Sequence, residues 1–279
     1  MLSSLENETI FKRAFTDHTV FKSFVKDIVG IDIEVDKIET EKRFKPKVGN
    51  IDFVYDIFAE STDHRVIIEI QRVDYDYNLD RFLHYHIMAI AELQRRAKDY
   101  RLEQKVFTIV VLTAPYRMDQ RTHLIIKDEV LVASVDPRNL EDKVVPMYGH
   151  KLIFLNHHYR KENTPSNYRD WLTLFHESIH NPEDYHVNLA HQGIKKAVEL
   201  IDYDKLTPGA RHRMKISEQR KVVRDLDMEH ARIEGLELGI EKGMKEGKAE
   251  MARELKRKGI AVDIIASSSG LSREEIEKL

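Results

Sequence analysis

The sequence predicts a mixed α/β domain reaching to about residue 180, a helical connector over 181–217 and a charged helical extension over 218–279. Two strand-like runs in succession, Ile51–Phe58 and Arg65–Gln71, read as a hairpin joined by the polar link AESTDH. A third, Lys105–Ala114, is the continuous apolar run of a buried strand, closed by Pro115. Around these runs the apolar period becomes helical, so strands and helices share one domain.

Taken in chain order, Ile10, Phe11, Phe15, Val20, Phe21, Phe24, Val25 and Ile28 recur at roughly helical intervals. They predict two helical segments ending at Gly30. After the hairpin, Leu79 to about Tyr100 returns to the helical period. The segments LIIKDEVLVASVD and KLIFLNHHY add two or three further strand candidates. Beyond Tyr168 the pattern is mainly helical, broken at Pro182 and Pro208.

The tail changes character. Gly235, Gly239, Gly243 and Gly247 stand four apart in a charged background. Each interior glycine costs a helix about 1 kcal/mol relative to alanine. This predicts a solvated, fraying helix, with self-association along the glycine row as the alternative. The last residues read as a short helix, the turn SSSG, and a helix opened by the capping box Ser272…Glu275. They resemble half of a helix-turn-helix, but so short a final helix suits packing or homo-oligomer formation better than reading a DNA groove.

Composition narrows the function classes. The chain has 279 residues, 42% of them hydrophobic, enough for a substantial core. With a formal net charge of −3, no global cationic field points to nucleic acid, although basic residues cluster locally around Lys42–Lys47, Arg95–Arg101 and Arg211–Lys215. The absence of cysteine excludes disulfides and thiolate metal sites. No apolar run approaches membrane-spanning length, and the first residues lack the apolar core of a secretory signal. The expected location is therefore the cytoplasm.

The chemistry concentrates in the second strand. Val66, Ile68 and Ile70 share one side of it, while Glu69 and Gln71 share the other. A hairpin centred between Thr62 and Asp63 sets Asp56 opposite Glu69, where facing Cβ atoms are about 5 Å apart. Like charges so placed repel unless one takes up a proton or a cation bridges them. A divalent ion held by oxygen ligands would remove the conflict, and Gln71 could orient a water or a phosphate oxygen. Alternatively, Asp56 is a surface residue and Glu69 pairs with Arg72 or Arg81. Asp52, on the same face as Asp56, is the alternative first ligand.

The set Asp56, Glu69-x-Gln71 resembles the PD-(D/E)XK nuclease signature in its glutamine variant. Three further stretches resemble the recombination-promoting nuclease (Rpn)/transposase family within it. Glu8-Thr9-Ile10-Phe11-Lys12 is similar to the family's D-x-x-F-K opening. YDIFAES with IIEIQ is similar to LDVYAED…NIEMQ, and LDRFLHYH to the R-x-x-x-Y helix after the third strand. The glycine-spaced tail ending GLSREEIEKL is also similar. The resemblance implies a restriction-endonuclease-like core: a mixed central sheet flanked by helices, opening with a helix and three antiparallel strands.

It also implies metal-dependent hydrolysis of DNA, with DNA as the partner. Asp56 and Glu69 would bind Mg²⁺ or another divalent ion such as Mn²⁺, and Gln71 would position water or phosphate. Glu8, in place of the commoner aspartate, would add a water-mediated contact. Arg81 and Tyr85, one helical turn apart, would face phosphate or support the site. Gln71 departs from the superfamily's lysine, and an amide supplies no positive charge. That burden shifts to the metal or to arginine.

Two readings compete. A nuclease fold without activity would serve as a DNA- or protein-binding module, although clustered carboxylates have no physical use in a dead site. Separately, HESIH over 176–180 satisfies the zinc-protease pattern H-E-x-x-H. Pro182 follows it closely, and His186, His191 and Glu199 offer no compelling third ligand, so an amphipathic helix with polar outer positions is the simpler reading, with a structural or incidental metal site ahead of proteolysis. The remaining histidine-rich stretches, LNHHY among them, read as exposed or hydrogen-bonded side chains.

Overall fold

The computed structural model describes residues 1–44, 53–71, 79–94, 101–116 and 123–279. The chain divides into two compact units, residues 1–217 and 218–279. In the first, six strands among the described residues form one sheet: β1 (Ile38–Phe44), β2 (Phe53–Glu60), β3 (His64–Gln71), β4 (Lys105–Leu112), β5 (Val130–Ser134) and β6 (Lys151–Asn156). Their spatial order is β1-β2-β3-β4-β6-β5. The pairs β1–β2, β2–β3 and β5–β6 are antiparallel, whereas β3–β4 and β4–β6 are parallel. The parallel strands are central and apolar, as strands covered on both faces must be. β1 was not evident from the sequence: IETEKRF is a charged edge strand, with only Phe44 buried.

One face of the sheet carries the larger core. Val66, Ile68 and Ile70 of β3 join Ile109, Val111, Ile153 and Leu155 there. They pack with α1 (Glu8–Phe15), α2 (His18–Val29), α4 (Ser166–His180) and α5 (Gln192–Ile201). Both early helices start on side-chain caps. The Asn7 carbonyl accepts the Thr9 N–H, and the Asp17 carboxylate accepts those of Thr19 and Val20. α2 ends at Gly30, whose φ of 80° suits the left-handed turn. Residues 181–217, expected as a connector, supply α5, whose Ile194, Ala197, Val198 and Ile201 belong to this core.

The opposite face is covered by α3 (Asp80–Gln94). Arg65 ties the helix down from β3. Its guanidinium is fully buried, donates to the Ala89 carbonyl at 2.8 Å and to Glu60 Oε1 at 3.1 Å, and lies against the rings of Phe44 and Phe58. Arg65→Ala is expected to cost about 3 kcal/mol in urea denaturation, because it removes the packing and deprives the Ala89 carbonyl of this donor. A loss under about 1 kcal/mol would show that Arg65 is not what holds α3 to β3.

α6 (Pro208–Arg257) runs on into the second unit. There α7 (Val262–Ser269) and α8 (Arg273–Glu277) form a small core of Ala252, Ile265 and Ile276. The capping box at Ser272 and Glu275 is present in both directions. Cβ atoms added at Gly235, Gly239, Gly243 and Gly247 would meet nothing within 4 Å. Among the described residues, no helix is long and apolar enough to cross a membrane.

Candidate active site

The β2–β3 ladder pairs Ile57 with Ile68 and Phe58 with Ile67, so one further step sets Asp56 against Glu69. At that step the ladder gives way to side-chain bonds. The Asp56 N–H donates to Glu69 Oε1 at 3.0 Å, and the Ile70 N–H donates to Asp56 Oδ2 at 3.1 Å. Each carboxylate is thereby fixed by an amide of the opposite strand. Asp52, the alternative first ligand, and Arg72, an alternative partner for Glu69, lie outside the described residues.

A local irregularity aims Asp56. Phe53 and Tyr55 pack on the α3 side of the sheet, whereas Ile57 and Ala59 pack on the other, so the alternation of β2 changes phase between them. Across the β1 ladder, Thr40 pairs with Ile57 and Lys42 with Tyr55, which leaves Glu41 opposite Asp56. Glu41 has a φ of 53°, a left-handed conformation that a residue with a Cβ adopts at a cost.

The electrostatics are those of two acids held too close. Glu69 is only 2% exposed. Burial first, and then the charge of Asp56, push its carboxyl well above the usual range. Asp56 is also raised by burial, against the opposing pull of the Ile70 N–H and the Lys12 ammonium. Its side chain remains 23% exposed, so the pair opens to solvent on the Asp56 side. Two hard oxygen donors in mutual conflict suit a divalent cation, which lets both ionise.

Lys12 is the site residue that the sequence reading left without a role. Its ammonium pairs with Glu8, lies 3.1 Å from Glu41 Oε1 and stands 4.0 Å from Asp56 Oδ1. Burial works against the Lys12 charge, but the surrounding carboxylates outweigh it, and its pKa is raised. The signal was present: Lys12 is one helical turn beyond Glu8 in the opening motif. Nothing in the sequence marked Glu41, whose place depends on its backbone conformation. Glu8 meets the site through Lys12, with its own side chain 47% exposed.

The remaining candidates surround the pair. Gln71 lies on β3 two residues beyond Glu69, and its carbonyl accepts the Thr113 N–H at 3.0 Å and the Thr113 hydroxyl at 3.2 Å. Arg81 opens α3, and its charge acts on both Asp56 and Glu69. Its guanidinium sits 5.2 Å from the centre of the Tyr85 ring, so Tyr85 supports Arg81. Tyr55, whose hydroxyl donates to the Tyr85 carbonyl at 2.9 Å, anchors that turn of α3 to β2.

The HESIH segment forms the last turns of α4, which ends at His180 just ahead of Pro182, as expected. Glu177 is buried, and its carboxylate accepts the His186 N–H at 3.2 Å and the Asn181 amide at 3.3 Å. That carboxylate fastens the loop after α4, which is not the role of a protease base. His191, one of the third ligands considered, is engaged by Asp27 at 2.8 Å. The third histidine beside His176 and His180 is instead His157, from LNHHY. It is fully buried and its Nε2 has no hydrogen-bond partner, which corrects the expectation of an exposed or satisfied side chain.

The family model described as PD-(D/E)XK nuclease family transposase matches residues 7–232. No curated protein and no solved structure matches the chain. The matched span takes in Glu8, Lys12, Asp56, Glu69, Gln71, Arg81 and Tyr85 together with the whole sheet, and on that extent the chain belongs to the PD-(D/E)XK nuclease family transposases.

Proposed function

We propose that this protein is a Mg²⁺-dependent deoxyribonuclease that hydrolyses DNA phosphodiester bonds in the course of transposition or recombination. The observation that carries the reading is the interlocked pair Asp56 and Glu69, held in like-charge conflict at the end of a buried hairpin. Mg²⁺, or Mn²⁺ in its place, would be held by those two carboxylates, where it would lower the pKa of bound water and neutralise charge on the phosphate. Hard oxygen donors without sulfur or imidazole fit that class of ion.

The chain's own residues divide the remaining work. Lys12 supplies the fixed positive charge that Gln71 cannot, and it limits the repulsion among Glu8, Glu41 and Asp56. Arg81, braced by Tyr85, offers donors for a phosphate oxygen beside the carboxylates. The Gln71 amide donates to a phosphate oxygen or holds a water in line, while its backbone stays fixed by Thr113. Glu8 acts at longer range by holding Lys12.

The test is cleavage of supercoiled plasmid with and without Mg²⁺, by the wild type and by Asp56→Ala. The expected result is metal-dependent nicking or linearisation by the wild type, reduced at least ~10³-fold in the variant. Cutting that ignores both the chelator and the substitution would refute the assignment. DNA binding without cleavage would favour the inactive binding module.

A further inference from the structure

We infer that His157, His176 and His180 form a second metal site, selective for a borderline transition-metal ion of the Zn²⁺ type and separate from the Asp56–Glu69 pair. One ligand nitrogen from each imidazole lies within 4.8 Å of the other two. His157 Nδ1 and His176 Nδ1 are 3.4 Å apart. Two nitrogens each about 2.05 Å from a tetrahedral ion stand about 3.3 Å apart, so this pair already has the separation of two ligands. His176 and His180 share one face of α4 at the i, i+4 spacing, with ring centres 4.6 Å apart.

Position and satisfaction argue the same way. The polar contact of the buried His157 ring is Nδ1 against His176 Nδ1, two nitrogens that satisfy each other poorly at 3.4 Å and that an ion between them would satisfy. The neighbouring histidine is accounted for: His158 Nε2 is 3.0 Å from the Thr113 carbonyl. Asn156 holds the turn that presents His157, accepting the His158 N–H at 3.1 Å and donating to the Ala114 carbonyl at 3.0 Å. Arg160 brings a positive charge near His176 and His180, and the carboxylates of Glu177 and Glu6 oppose it. Three imidazoles without a carboxylate in the cluster favour zinc over magnesium.

The consequence is mechanical. Bound metal would clamp the end of α4 to the turn after β6. Through His158 that turn leans on Thr113, which holds the carbonyl of Gln71. The clamp therefore reaches the strand end on which Glu69 and Gln71 are mounted. Three protein ligands leave the fourth position to water.

The experiment uses the full chain without a histidine tag, stripped with chelator and then titrated with Zn²⁺ or Co²⁺. One equivalent should bind, Co²⁺ should give visible d–d absorption, and Zn²⁺ at a hundredfold excess over Kd should raise Tm by about 5–10 °C. His180→Gln, at an exposed position, should weaken binding at least tenfold, as should His157→Gln, while Glu69→Gln should leave it unchanged. Excess Mg²⁺ should not displace the ion. No stoichiometric binding, binding indifferent to both histidine substitutions, or loss of the site in Glu69→Gln would overturn the inference. Loss of plasmid cleavage with zinc binding intact would count against the nuclease assignment alone.

Discussion

Glu69→Gln should lower Mg²⁺-dependent cleavage at least ~10³-fold while making the metal-free protein more stable. The amide keeps an oxygen able to accept the Asp56 N–H, so the hairpin retains its local bond. What disappears is a buried acid, beside Asp56, whose raised pKa lowers metal-free stability once the pH exceeds its ordinary value. The pH dependence follows from the direction of the shift. Glu69 has a folded pKa well above its ordinary value of 4.5, because burial and Asp56 both favour the neutral acid. Its contribution to metal-free stability is full below that ordinary value. It declines as pH rises through the folded pKa, and then stays lost. Melting curves of wild type minus Glu69→Gln, taken in chelator from pH 4 to 9, isolate this group from the other carboxylates. A difference that does not change with pH would refute the buried repulsion. Saturating Mg²⁺ should remove the wild type's disadvantage at high pH.

Lys12→Met should separate metal affinity from turnover. Removing the ammonium leaves Glu8, Glu41 and Asp56 without their shared counter-charge. Mg²⁺ should therefore bind severalfold more tightly, since the site has become more negative. Cleavage should nevertheless fall about 10²-fold, because the fixed positive charge near the phosphate is gone. Isothermal titration and single-turnover cleavage measure the two effects independently. A parallel loss of both would assign Lys12 to maintaining the fold rather than to the chemistry. Lys12→Arg, which restores charge but not shape, should recover part of the rate.

Lys12 also shows why part of the site was not legible. The hairpin register could be read in advance, because AESTDH permits few ways to pair two alternating strands, and the pairing of Ile57 with Ile68 follows from it. Asp56 and Glu69 were therefore found by arithmetic along the chain. Lys12 belongs to another element, and its distance from Asp56 depends on how α1 lies across the sheet. Glu41 was less accessible still, since its carboxylate reaches Lys12 only through a left-handed backbone in a strand too charged to be noticed. The histidines divide in the same way: His176 and His180 are a local pair, whereas His157 arrives from a turn 19 residues earlier.

By itself, the sequence determined the elements with strong local signals. These are the two N-terminal helices ending at Gly30, the hairpin, the buried strand β4, the capping box at the tail, and the opposition of Asp56 and Glu69. Tertiary structure alone decided the edge position of β1, the counter-charge from Lys12, and the meeting of His157 with α4. The physical reason is range. Periodicity, capping and hairpin register are set by neighbours in the chain, whereas convergence between elements is set by how their apolar faces pack, which no short stretch of sequence contains.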